Sequence, residues 1–146
     1  MKVREFLAAN EKKVITVKAD LEIQHAMSRL IQHAISCLPV VGPSGELTGI
    51  ISDKDIFRAA HKNPGEFISA KVGDLMTADL IVGVADDDLD YIAGVITQNR
   101  IRHVPIVENR KLIGLISVGD VVKSQLKSIE FENRYLKMFI KDSYPG

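Results

Sequence analysis

Residues Val14 to Val41 align without a gap on Leu80 to Val107, at an offset of 66 fixed by Pro39 and Pro105. Identities in this register include Ile15/Ile81, Ala19/Ala85, Asp20/Asp86, Gln32/Gln98, Ile35/Ile101, Pro39/Pro105 and Val41/Val107. One residue fewer in the second turn shortens the offset to 65, and Leu47/Leu112, Gly49/Gly114, Ile51/Ile116, Ser52/Ser117 and Asp55/Asp120 then coincide. Such self-similarity means one supersecondary unit written twice, and it restricts the chain to folds in which two like units pack on each other.

Each unit reads as the same series. Val14-Ile15-Thr16-Val17 and Leu80-Ile81-Val82 have strand character, followed by acidic helix starts at Asp20 and at Asp86-Asp87-Asp88. Apolar residues then recur at helical spacing: Ile23, Met27, Leu30, Ile31 and Ala34 in one unit, Leu89, Ile92, Ala93 and Ile96 in the other. Two strands follow, joined by Gly42-Pro43-Ser44-Gly45 or by Glu108-Asn109-Arg110-Lys111, and a closing helix begins after Ser52 or Ser117. The order is β-α-β-β-α twice. One such unit is too small to cover both faces of its sheet, so the two are expected to pack about a pseudo-twofold axis as an α/β (α+β) fold. His61-Lys62-Asn63-Pro64-Gly65 ends the first closing helix, and a short element around Val72-Met76 leads into the second unit. We expect a first repeat over 10–61, a second over 72–126, a short N-terminal helix, and a long C-terminal helix whose extension covers 126–146.

Composition narrows the function. At 146 residues, 46% hydrophobic and 26% charged, the chain can bury one continuous core but leaves no room for a separate catalytic domain. Lys plus Arg and Asp plus Glu both count 19, so no net field draws in a nucleic-acid backbone. Cys37 is alone, which excludes an intramolecular disulfide. No apolar stretch follows Met1-Lys2-Val3-Arg4 to make a signal peptide, and none reaches the roughly 18 residues a membrane span needs. A cytoplasmic location is expected.

The sharpest motif is Gly-x-x-Ser-x-x-Asp, at Gly49 to Asp55 and again at Gly114 to Asp120, each at a strand-to-helix junction. In a single copy a helix cap explains it, with Ser at the cap and a carboxylate three residues on. Its duplication in register with Leu38-Pro39-Val40-Val41 and His103-Val104-Pro105-Ile106-Val107 points further. With Val72-Gly73-Asp74-Leu75-Met76-Thr77 ahead of the second unit, the chain resembles the tandem cystathionine β-synthase (CBS) domain pair, or Bateman module.

That resemblance implies a ligand cleft between the units, in which Asp55 and Asp120 receive the ribose hydroxyls of an adenosine-type ligand. A carboxylate has two acceptor oxygens, which suits a vicinal diol. Ser52 and Ser117 can donate from the helix N-terminus, where many family members carry Thr. The adenine would lie against Thr16, Leu38 and Pro39 in one unit and Val82, Val104 and Pro105 in the other, although apolar strand residues of this kind serve equally as core. Arg100, Arg102 and His103 enter the second Pro strand, where the first unit has Ala34, Ser36 and Cys37. Either a solvated face or a phosphate site fits such a cluster.

Other signals read as structural. His25, His33, His61 and His103 have no partners at metal-ligand spacing, and Asp86, Asp87 and Asp88 suit the start of a helix. Cys37 aligns with His103 beside the cleft and is expected to be buried and inert, with redox sensing as the lesser alternative. No nucleophile-base pair, P-loop or dinucleotide fingerprint is present. Leu126, Ile129, Leu136, Phe139 and Ile140 exceed the needs of one repeat, so a homodimer is expected.

The reading is therefore a regulatory module without catalytic cofactor or metal. It would bind AMP, ADP, ATP or NADH and act through oligomer rearrangement or on a protein target in trans. The alternatives are an S-adenosylmethionine-binding regulator, a structural or redox interaction protein with an empty fold, and a nucleotide-hydrolysing enzyme.

Overall fold

The computed structural model describes residues 1–127. The elements run α1 (Val3–Ala9), α2 (Ile23–His33), β1 (Cys37–Val41), β2 (Leu47–Ser52), α3 (Asp53–Lys62), α4 (Pro64–Phe67), α5 (Val72–Leu75), α6 (Leu89–Asn99), β3 (His103–Glu108), β4 (Lys111–Ser117) and α7 (Val118–Lys127). The expected extension through Ile129, Leu136, Phe139 and Ile140 lies outside the described residues.

Each repeat builds an antiparallel hairpin, β1 with β2 and β3 with β4, in equivalent registers: Pro39 faces Ile50 and Pro105 faces Leu115. The expected first strand of each repeat is reduced to one bridging residue, Val17 against Val40 and Gly83 against Ile106. The acidic residues do not all start helices either. α2 begins three residues after Asp20, with Glu22 at its cap. In the second repeat Asp88 occupies the N-cap position of α6 but its side chain makes no capping bond and pairs with Lys2 instead, while Asp87 accepts the Val84 N–H at 2.8 Å and Asp86 pairs with Arg4 at 3.2 Å. These carboxylates hold loops and a neighbouring helix more than they serve a dipole.

Helices α2 and α6 end alike. Ala34 and Arg100 both adopt left-handed backbone, at φ 52° and 53°, and the next N–H in each case reaches the carbonyl five residues back, Ile35 to Leu30 and Ile101 to Ile96. This terminator turns the chain directly into β1 and β3.

The two cores are completed crosswise. Val3 and Phe6 of α1, which precede the first repeat, are buried with Leu89, Ile92, Val104, Ile106 and Ile116 of the second. Val72 of α5, which opens the second repeat, is buried with Val17, Ile23, Leu38, Val40 and Ile51 of the first. The backbone repeats the exchange: Val3 N–H donates to Asp87 and Arg4 to Ala85, as Val72 donates to Leu21 and Gly73 to Ala19. The pseudo-twofold also passes between the hairpin turns, where Leu47 N–H donates to Arg110 and Leu112 N–H to Gly45.

The motif glycines follow from this exchange. A Cβ on Gly49 would stand 2.6 Å from Met76 Sδ and 2.9 Å from the Thr77 carbonyl; one on Gly114 would meet only the tip of Leu7, at 2.7 Å. Backbone yields less readily than a side-chain end. Gly49→Ala is therefore expected to cost about 1–3 kcal/mol and Gly114→Ala distinctly less, as measured by urea denaturation.

Candidate functional site

A cleft of about 290 Å³ opens between the repeats. The first repeat supplies Ser52, Lys54, Asp55 and Arg58; the second supplies Thr77, Asp79, Leu80 and Ile81 from its opening segment, and Arg100, Ile101, Arg102, His103 and Pro105 from the approach to β3. Six residues singled out in the sequence therefore meet in one place: Ser52, Asp55, Arg100, Arg102, His103 and Pro105.

The other sequence candidates lie elsewhere. Leu38 and Val104 are fully buried core residues, Pro39 is nearly so, and Thr16 offers its carbonyl to Arg29 at 3.4 Å. Val82 is exposed. Ser117 and Asp120 stand at the equivalent junction of the second repeat. The residues missed in the sequence, Lys54 and Arg58, flank Asp55 at helical spacing, so projecting α3 from its Ser52 cap would have found them. Thr77, read as part of a lead-in, and Leu80 and Ile81, read as a strand, carried no local sign that they line a cleft.

The cap and the candidate anchor are the same group. Asp55 Oδ2 accepts the Ser52 N–H at 2.9 Å and the Ser52 hydroxyl at 3.0 Å, while the Asp55 N–H donates back to Ser52 Oγ at 3.2 Å. The second oxygen, Oδ1, accepts from Thr77 Oγ1 at 3.1 Å. Asp120 repeats the cap, accepting the Ser117 N–H at 2.9 Å and donating to Ser117 Oγ at 3.0 Å. Capping fixes one carboxylate oxygen and leaves the other pointing at whatever the far repeat brings.

The junctions are tied to the loop before each Pro strand. Asp53 N–H donates to Ser36 and Val118 N–H to Arg102. Arg102 also crosses between repeats to Asp53 at 2.7 Å, and that guanidinium holds the Asp53 carboxyl below its usual range. Arg100, by contrast, forms no ion pair among the described residues, and neither do Lys54 and Arg58.

Burial acts on the two aligned residues in the centre. It pushes the Cys37 thiol from 9.0 up to about 11, more than nearby Arg102 and Lys12 can offset. It pushes His103 down, helped by the charges of Arg102 and Lys12. His103 is thus a neutral group at neutral pH, and the positive charge at the cleft belongs to Arg and Lys.

With this geometry in view, the comparisons identify the class. The CBS domain model matches residues 3–62 and 72–127. The chain belongs to the CBS domain family and carries two copies of that domain. It is 32% identical over 129 residues to the CBS domain-containing protein CBSX3, mitochondrial, of Arabidopsis thaliana, covering 86% of this chain and 63% of that one. The chain thus spans less than two thirds of that relative. Among solved structures it is similar to CBSX2 in complex with AMP, at 28% identity and a TM-score of 0.75, over 87% of this chain and 97% of the other. It is also similar to the CBS domain pair of protein MJ0100 in complex with 5′-methylthioadenosine and S-adenosyl-L-methionine, at 28% identity and a TM-score of 0.76, over 88% and 98%. CBS pairs among its neighbours thus hold adenosyl ligands. Among the described residues no helix is long and apolar enough to cross a membrane.

Two outcomes follow from the buried centre. At about pH 8, iodoacetamide should modify Cys37 of the folded chain at least about tenfold more slowly than free cysteine, since so little thiolate is present; urea should abolish the protection. The folded state also keeps His103 neutral where the unfolded chain would protonate it, near 6.5. Stability should therefore fall as pH drops below about 6.5 toward the depressed folded value, and His103→Gln should flatten that slope in denaturation curves.

Proposed function

We propose that this chain is a regulatory module that binds a phosphorylated adenine nucleotide, of the AMP, ADP, ATP or NADH type, between its repeats. The observation that carries this reading is the Asp55 cleft, which joins a capped carboxylate from one repeat to Arg100 and Arg102 of the other. Asp55 Oδ1 would exchange the Thr77 hydroxyl for ribose hydroxyls, and Ser52 would hold the carboxylate in place. Pro105, Leu80 and Ile81 offer an apolar wall for adenine. Arg100, Arg102, Arg58 and Lys54 favour phosphates and disfavour the sulfonium of S-adenosylmethionine. The AMP held by CBSX2 supports the reading, and the adenosyl ligands of the MJ0100 pair support its nucleoside part.

The function we assign is regulatory, with the Ser52 hydroxyl and the Asp55 carboxylate engaged in capping α3. Regulation requires that the ligand bind two states unequally, and the Arg102–Asp53 bridge across the repeats is a contact that a phosphate would compete for. The output would pass to a protein target in trans or through a homodimer, with a cytoplasmic location. The homodimer reading gains from Ile31 and Phe57, large apolar side chains left 78% and 75% exposed on the helical face of the first repeat. Sedimentation is expected to give a dimer at micromolar concentration, and Phe57→Glu should shift it toward monomer.

Calorimetry with AMP tests the site. Asp55→Ala should weaken AMP at least about tenfold, as expected for loss of charge-assisted hydrogen bonds. Replacing Arg100 and Arg102 by Gln should weaken AMP more than adenosine, with the difference shrinking at high salt. Tighter binding of S-adenosylmethionine than of AMP, ATP and NADH to the unmodified chain would refute the charge assignment.

A further inference from the structure

The duplication lets the two motif junctions be compared position by position, and they prove unlike in charge. Around Asp55 stand Lys54, Arg58, Arg100 and Arg102, all of them lining the cleft. The positions equivalent by the repeat offsets, around Asp120, are Gly119, Lys123, Ala34 and Ser36. Four cations, set beside the carboxylates of Asp79 and of Asp53, which Arg102 pairs, correspond at the four equivalent positions to a single lysine. Both carboxylates are present and both are capped, so a reading from the motif alone would give two equal sites per chain.

The second oxygen of each carboxylate differs as well. Asp55 Oδ1 meets a neutral hydroxyl, Thr77 Oγ1, at 3.1 Å. Asp120 Oδ1 meets the ammonium of Lys12, Nζ at 3.8 Å, from the segment that follows α1. The Asp120 side chain is 18% exposed and that of Lys12 61%, so the carboxylate, but not the ammonium, is partly withdrawn from water. A ribose hydroxyl arriving at Asp120 must displace a cation from a carboxylate; at Asp55 it exchanges one hydroxyl for another. The first exchange gives up Coulomb energy in a setting of reduced screening, while the second is nearly neutral.

We infer that the clefts are unequal: one phosphorylated nucleotide binds per chain, at Asp55, and Lys12 closes the Asp120 side by occupying its carboxylate. The inference rests on the nucleotide reading above and adds its stoichiometry and the residue that sets it. Lys12 acts here as an internal substitute for a ligand. Of the four positions equivalent to the cations around Asp55, only Lys123 is basic.

Native mass spectrometry and calorimetry with AMP, on the intact chain, give the test. The unmodified protein should take up one AMP per chain, and Asp55→Ala should remove that uptake at the same concentrations. Lys12→Ala should admit a second AMP, at least about tenfold weaker than the first, and adding Asp120→Asn to it should return the count to one. Lys12 is exposed and outside both cores, so this variant is expected to fold; Lys12→Met, which keeps the aliphatic stem, should behave alike. Two AMP per chain of similar affinity in the unmodified protein would overturn the inference, as would a count that stays at one after both Lys12 substitutions. Absence of AMP, ATP and NADH binding from every variant would instead remove the nucleotide reading, and the inference with it.

Discussion

Val3 and Val72, both fully buried, complete the core of the repeat that each does not introduce, and the arrangement of everything else depends on that exchange. A two-stranded hairpin with flanking helices has too little apolar surface to stand alone. Docking α1 on the second repeat and α5 on the first supplies the missing layer, and it also fixes the geometry between the repeats. The glycines of the duplicated motif leave room for Leu7 and Met76. The residue after Met76, Thr77, is then in place to meet Asp55. Core closure and the construction of the cleft are therefore one event.

Polar contacts reinforce the same geometry from outside. The ion pairs found among the described residues, Lys2–Asp88, Arg4–Asp86, Arg4–Glu108, Lys12–Asp120 and Arg102–Asp53, all join the first 53 residues to the second repeat. Exposed pairs of this kind contribute little singly. Their common direction matters more, because it places the charges that sense a ligand on the seam between repeats and leaves the interior of each core apolar.

Much of this was legible in the sequence because duplication marks its own boundaries. Pro39 and Pro105 gave the alignment of the two repeats, and Ser52 and Ser117 gave the starts of α3 and α7. Asp55, Arg100, Arg102, His103 and Pro105 were each singled out as candidate site residues, and all five line the cleft. Tertiary facts were not legible. Val14 to Val17 has strand composition but pairs at Val17 alone, since strand propensity needs a partner edge to act on. Asp86 looks like a helix-start charge but holds Arg4, and no local pattern reveals a partner more than 80 residues away. His103 looked basic until its burial was known.

The crosswise docking of α1 and α5 bears on how the chain can come into being. During synthesis the first repeat emerges before Val72 does, so it must wait, core unsealed, until the connection has left the ribosome. The second repeat has the opposite situation: its missing piece, Val3 with Phe6, was made first and is already at hand. A cut between residues 62 and 72 would leave each fragment carrying the apolar segment that seals the other's core. Two such fragments have cause to assemble together and little cause to fold apart, which makes this duplicated chain, in its energetics, a single indivisible domain.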